Sequence, residues 1–215
     1  MTLPFPDFII KLQHALTFPL PGIEAHKEMV PVGRVAYEQL QNQIEEYRKG
    51  AVLIHLCFDN DEWKVIFIQR STYDGVHSAQ MAFPGGKYDD SDGTFQNTAM
   101  REAYEEVQLH AHQINFIGEL SVLHIPVSRF TVYPFVSWQH GMPNLVPDVN
   151  EVTSIHILPL ADFYNDNNRI ETEVTLQQGV KKNVQAFNIQ NNIIWGATAM
   201  IMHEFVTILK GLKVQ

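Results

Sequence analysis

The sequence predicts an α/β (α+β) domain, a mixed central sheet with helices on its faces, and three observations carry that expectation. Ala51-Val52-Leu53-Ile54-His55-Leu56-Cys57-Phe58 is an almost unbroken apolar run, the mark of a strand covered on both faces. Thr94–Gln108 has helical periodicity and lies between strand-like segments. A last helix follows Trp195-Gly196, with Ala197, Met200, Ile201, Phe205, Ile208 and Leu209 as its buried stripe.

Taken in order, the chain starts with a helix. Phe5, Phe8, Ile9, Leu12 and Leu16 share one face and Asp7 sits in the first turn. Pro19, Pro21-Gly22 and Pro31-Val32-Gly33 then break the chain into an irregular segment. Tyr37 to Arg48 is expected as a short second helix stopped by Gly50. After the Ala51 strand, Asp59-Asn60-Asp61 turns the chain and Lys64–Gln69 returns as the second arm of a hairpin. Further strands are expected at Asn115–Leu123, Thr131–Trp138, Ser154–Pro159, Glu171–Leu176 and Val184–Ile189. The reading divides the chain into a helical extension, residues 1–48, packed on a main domain, residues 49–215.

Bulk properties exclude several classes. No apolar run approaches the roughly 20 residues that span a bilayer, and the amino terminus lacks a secretory signal, so a cytoplasmic protein is expected. The single cysteine, Cys57, rules out an internal disulfide and both C-x-x-C zinc and redox patterns. Net charge is −9 and no Lys/Arg cluster is present, which argues against nucleic acid and anionic membrane as partners. An anionic substrate would need recruited positive charge.

The segment Arg101-Glu102-Ala103-Tyr104-Glu105-Glu106 places three glutamates within five residues of an already acidic chain. On a helical wheel their carboxylates share an arc of about 100°, while Met100, Ala103, Tyr104 and Val107 fall on the core side. Like charges at that spacing destabilise a helix unless a cation sits among them. Arg101, four residues before Glu105, can brace one carboxylate. Upstream, Phe83-Pro84-Gly85-Gly86 brings backbone close to a ligand, and Lys87–Gly93 adds Asp89, Asp90 and Asp92. A carbonyl with clustered carboxylates is the all-oxygen environment that Mg²⁺ or Mn²⁺ prefers.

Gly86, Asp92, Arg101, Glu102, Glu105, Glu106 and Leu109 resemble the Nudix box, G-x5-E-x7-R-E-U-x-E-E-x-G-U with U a bulky apolar residue. Asp92 stands where the pattern has Glu, the loop to Arg101 is one residue longer, Ala103 is small for its apolar slot, and Gln108 replaces the last glycine. Arg70-Ser71, His77 and Phe83-Pro84-Gly85-Gly86 are similar to the signature of the coenzyme A diphosphatase branch, with Asp74, Gly75 and Ala79 departing from it. Pro126-Val127-Ser128, Val132–Val136, Glu151-Val152 and Leu158-Pro159-Leu160 continue the likeness.

The resemblance implies a Nudix-type α/β/α sandwich and a metal-dependent hydrolase that cleaves the diphosphate of coenzyme A or acyl-CoA. Its products would be adenosine 3′,5′-bisphosphate and (acyl-)4′-phosphopantetheine. Glu102, Glu105 and Arg101 would be the catalytic residues, and Glu102, Glu105, Glu106 and Gly86 would hold Mg²⁺ or Mn²⁺. Arg70, His77, Gly85 and Lys87 would bind substrate, and Glu151 is an additional candidate carboxylate. A hydrolase of another nucleoside diphosphate derivative, such as ADP-ribose or NADH, and a non-catalytic ligand sensor are the alternatives. A homodimer is left open.

Overall fold

The computed structural model describes residues 7–30, 46–71, 80–175 and 180–212. The central strand is β1 (Arg48–Asp59), because both of its edges are hydrogen-bonded along most of its length. On one side it runs parallel to β7 (Phe130–His140), from Arg48 opposite Phe130 to Phe58 opposite His140. On the other side it pairs antiparallel first with β4 (Gly85–Lys87) and then with β2 (Glu62–Arg70). Asn60 and Asp61 close the β1–β2 hairpin with φ of 50° and 58°, the left-handed pair that matches strand twist and suits Asn and Asp. β3 (Met81–Ala82) and β8 (Val152–Pro159) join β2, while β5 (Asn115–Glu119) and β6 (Leu123–Ile125) join β7. The sheet is therefore mixed, as the apolar β1 run requires of a strand buried on both faces.

Alternation along β1 sends its side chains to two cores. Ala51 and Leu53 pack with Ile68, Phe135 and Val152 beneath α3 (Phe95–Val107), which supplies Ala99, Ala103 and Val107. Ile54 and Leu56 face the opposite side with Phe67, Phe83 and α4 (Gly196–Gly211). Phe8, Ile9 and Leu12 of α1 (Asp7–Ala15) join that second core, and Phe8 lies 4.7 Å from Trp63, ring centre to ring centre. A separate antiparallel sheet, β9 (Arg169–Thr175), β10 (Lys181–Ile189) and β11 (Asn192–Trp195), leads into α4.

Several expectations are corrected. Arg48 and Gly50 do not end a helix; they open β1, and Gly50 pairs with Lys87 and Val132. Residues 37–45 of that expected helix lie outside the described residues. The irregular segment contains a short helix, α2 (Ile23–Lys27), tied down where His26 Nε2 meets Glu204 Oε2 of α4 at 2.9 Å. The strand expected at Asn115–Leu123 divides into β5 and β6 around Leu120 to Val122: Leu120 N–H still donates to the Pro134 carbonyl of β7, but proline has no N–H to return the bond. Tyr104 is not a core residue: it is 50% exposed, against His110, and the small Ala99 and Ala103 let α3 lie close to the sheet instead. Helix α4 is buried on nearly every side, Glu204 and Met202 included, since α2 and β10 cover the faces that the sheet does not.

Gln108 ends α3 with φ 56° and ψ 33°, and its N–H donates to Tyr104 O. A β-carbon in this left-handed position costs about 1 kcal/mol. Gln108→Gly should raise stability by about 0.5–1 kcal/mol, read as a higher urea midpoint at unchanged m-value.

His55 is fully buried between Ser137 Oγ (2.8 Å from Nδ1) and Gln139 Oε1 (3.2 Å from Nε2). Burial, opposed by the weaker Gln139 hydrogen bond, depresses its pKa from 6.5 to about 4. The unfolded chain therefore binds the extra proton between those values, so this stabilisation is complete above pH 6.5 and is lost as pH falls toward 4. The loss approaches about 1.4 kcal/mol per pH unit. Burial also lowers His124, His156 and His203, which slope the same way. Urea unfolding across this range should show a shallower acid slope in His55→Gln, and an unchanged slope would refute the assignment.

Candidate active site

The acidic helix α3 lies over the β4 backbone, and two glycines determine how closely. A β-carbon on Gly86 would stand 2.4–2.6 Å from the carboxylate of Glu102, so the missing side chain is the space that carboxylate occupies. A β-carbon on Gly85 would meet Ala51 O at 2.3 Å and Val52 Cα at 2.6 Å. Gly85 presents its N–H to Glu106 Oε2 at 2.8 Å. On either side, Leu53 N–H donates to Pro84 O (2.8 Å) and Tyr88 N–H to Lys49 O (2.9 Å), holding the glycines against β1.

The cation required among the glutamates is Arg101. Its Nε donates to Asp92 Oδ1 (2.8 Å), and Nη2 to Asp92 Oδ2 (3.1 Å) and Lys87 O (3.0 Å). Nη1 donates to Glu102 Oε1 (3.0 Å) and Glu105 Oε2 (2.7 Å). A guanidinium has five N–H donors, and all are committed to protein. Arg101 therefore orients carboxylates and has no donor left for a substrate. Its hydrogen bonds, followed by those of Thr98 and the Asp89 N–H, hold the Asp92 carboxyl down at about 2 against the cost of burial. Asp92 also accepts from Thr98 Oγ1 at 2.7 Å, which joins the loop before α3 to the helix.

Glu106 is the opposite case. It is 1% exposed, and burial pushes its pKa up to about 8 despite the Gly85 N–H and the Arg70 charge. Arg70 Nη1 lies 3.7 Å from Glu106 Oε1, an ion pair too long for a hydrogen bond. Glu106 Oε1 and Arg70 Nε are buried polar atoms without hydrogen-bond partners. Burial raises Glu102 as well, against the Arg101 charge. Glu151 is exposed, accepts the Ser71 N–H on its carbonyl (2.8 Å), and adds its charge to Glu102 and Glu106.

Among the described residues no three carboxylate, imidazole or thiolate groups converge into a ready-made metal nest. Glu102 and Glu105 are turned onto Arg101 and Glu106 onto Gly85. The donor set nevertheless fits a hard divalent cation. Every candidate ligand is an oxygen, Glu106 Oε1 is an acceptor without a hydrogen bond, and Gly86 admits the Glu102 carboxylate directly against the strand.

Beside this cluster is a cleft of about 510 Å³. Arg70, Gly85, Gly86 and Lys87 line one part, and Met81, Phe83, Val132 and Ile201 form apolar walls. His77 lies outside the described residues. Sequence reasoning missed Arg48, Ser128 and Phe130, which also line the cleft. In the sequence Ser128 stands out only within the Pro126-Val127-Ser128 likeness, and Arg48 carries the marks of a helix end.

Residues 47–178 match the profile of the NUDIX domain. The chain is 29% identical over 162 residues to NudL of Pectobacterium atrosepticum, described as an uncharacterized Nudix hydrolase, covering 75% of this chain and 82% of that protein. It is 30% identical over 155 residues to the protein of the same description from Yersinia pestis, covering 72% and 76%. In fold it is similar to RenU, a Nudix hydrolase from M. smegmatis, with TM-score 0.53, 12% identity, and 79% and 88% of the two chains covered.

Gly86→Ala tests the close approach. Only the mobile end of Glu102 has to yield to the new β-carbon, so the melting temperature should stay within a few degrees. Mn²⁺ affinity, measured by calorimetry, should fall about 10-fold or more as the carboxylate is displaced. Unchanged affinity would remove Glu102 from the ligand set.

Proposed function

Because the chain belongs to the Nudix hydrolase family, whose members hydrolyse diphosphate bonds of nucleoside diphosphate derivatives, we propose that its own substrate is coenzyme A or an acyl-CoA. The observation that carries this reading is the position of the signature residues. Arg70, Phe83, Gly85 and Gly86 line one cleft, and Glu106 touches both Arg70 and Gly85. A diphosphate lying along Gly85-Gly86 would meet backbone, with Arg70 and Lys87 supplying positive charge.

Nudix hydrolases generally use divalent metal ions such as Mg²⁺. Glu102, Glu105 and Glu106, with the Gly86 carbonyl and Glu151 nearby, are the oxygens that would hold it here. The bound ion supplies charge neutralisation at the diphosphate and a lowered pKa for the attacking water. The remaining work belongs to the chain. Arg101 keeps Glu102 and Glu105 in place, the buried Glu106 orders the Gly85 N–H, and a glutamate on the exposed side of α3 accepts the proton of water. In-line attack on the P–O–P link would yield adenosine 3′,5′-bisphosphate and (acyl-)4′-phosphopantetheine. The reading also places the enzyme in the cytoplasm; no described helix is long and apolar enough to cross a membrane.

The deciding experiment is incubation of coenzyme A with the protein in Mg²⁺ and in EDTA, with products identified by mass. Adenosine 3′,5′-bisphosphate should form only with metal. Turnover of ADP-ribose or NADH with none of coenzyme A would replace the substrate. Inactivity on all of them would favour a ligand sensor.

A further inference from the structure

The cleft holds positive charge that the catalytic cluster does not use. Arg48, Gly50 and Val52 alternate onto one face of β1, and Arg48 and Val52 both line the cleft. The Arg48 guanidinium lies 5.5 Å from the centre of the Phe130 ring, and its Nη2 donates to the Ser128 carbonyl at 3.2 Å. Both contacts fix the group in place, and neither neutralises it. Arg70, Arg101, Arg169 and Lys210 each face a carboxylate. Among the described residues Arg48 makes no ion pair, and nor does Lys87, which lies opposite Gly50 in the β1–β4 ladder. Lys11, Lys49, Arg129 and Lys182 are also without an ion pair among the described residues, but of these six cations only Arg48 and Lys87 line the cleft.

A second observation is independent of charge. Ser128 Oγ is buried and has no hydrogen-bond partner. Ser128 lines the same cleft beside Arg48. A buried hydroxyl left unpaired costs free energy unless a ligand supplies the bond.

We infer that Arg48 and Ser128 form a second anion pocket, with Lys87 between it and the diphosphate, which takes a phosphate monoester carried on the ribose of the nucleotide whose diphosphate is cleaved. Distance favours one molecule over two. Gly86 lies opposite Ala51, and Arg48 is three residues further along the strand, a backbone rise of about 10 Å, and both line the one cleft. A ribose bearing a 5′-diphosphate and one further phosphate spans a separation of that order. The pocket would thus select nucleotides with a third phosphate, and this deepens the substrate reading given above, on which it rests.

The test is binding, measured by calorimetry in EDTA so that the carboxylate cluster contributes no metal. Adenosine 3′,5′-bisphosphate should bind about 10-fold or more tightly than AMP, the worth of one charge-assisted contact. Arg48→Gln should abolish that ratio and Arg48→Lys should restore part of it, with melting curves to verify folding. Ser128→Ala, which removes only the orphan hydroxyl, should reduce the ratio several-fold even if the arginine variants fail to fold. Equal affinity for the two nucleotides in the unaltered protein, or a ratio that survives both Arg48→Gln and Ser128→Ala, overturns the pocket. Coenzyme A resisting hydrolysis while the ratio holds would overturn the substrate assignment and leave the pocket standing.

Discussion

The site depends on one guanidinium. Arg101 is the point where three pieces of chain meet: the carbonyl of Lys87 at the end of β4, the buried Asp92 in the loop, and Glu102 and Glu105 on α3. Without it, a helix bearing three carboxylates on one arc would repel itself, and Asp92 would be a buried charge lacking its main partner. Lysine could not substitute: an ammonium has three donors and no fork, whereas five directed bonds are made here. The price of this arrangement is that Arg101 has nothing left for a ligand, so substrate charge must be met by other cations.

Backbone proximity is the second constraint, and it passes through residues without side chains. A β-carbon on Gly50 would stand 2.2 Å from the Gly86 carbonyl and 2.5 Å from the Phe130 ring. The same vacancy therefore seats the strand that carries the glutamate-facing glycine and the aromatic wall of the cleft. Gly86 then makes room for Glu102 in turn. From β7 through β1 to β4 and α3, each layer approaches the next because a β-carbon is missing or small, Ala99 and Ala103 completing the series. Carboxylates brought this close to apolar layers divide by environment. Asp92, hydrogen-bonded on both oxygens, stays ionised far into acid, and Glu106, with one oxygen unpartnered, resists ionisation.

What could be read in the sequence was what repeats. The β1 run, the β1–β2 turn and the periodicity of α3 each place many residues under one rule, and they stand where the pattern puts them. The Glu102, Glu105 and Glu106 arc was legible for the same reason. Short strands have no such redundancy: β3 has two residues and β4 three, and only pairing with β2 and β1 makes them strands. Arg48 and Gly50 carried the local marks of a helix end, and tertiary pairing with β7 overrode them. Tyr104 lies on the core side of the wheel yet is exposed, because a wheel gives direction but not depth. That Glu106 is buried and Glu105 is half exposed follows from how α3 sits on the sheet, which no spacing within the helix encodes.

Charge is distributed by commitment. The acidic balance of the chain supplies partners for about half of the described cations, Lys64, Lys181 and Lys210 among them. A cation that stays unpaired must then be kept from carboxylates by its surroundings. Arg48 is kept so by a ring face and a carbonyl, which accept a guanidinium without cancelling its charge. The side of β4 that faces α3 uses the reverse arrangement, carboxylates gathered on a saturated arginine. The two arrangements lie at opposite ends of one short stretch of β1, from Arg48 to the residues opposite Gly86. A ligand with negative charge at two points therefore meets two different fields, and its orientation is fixed before any bond is broken.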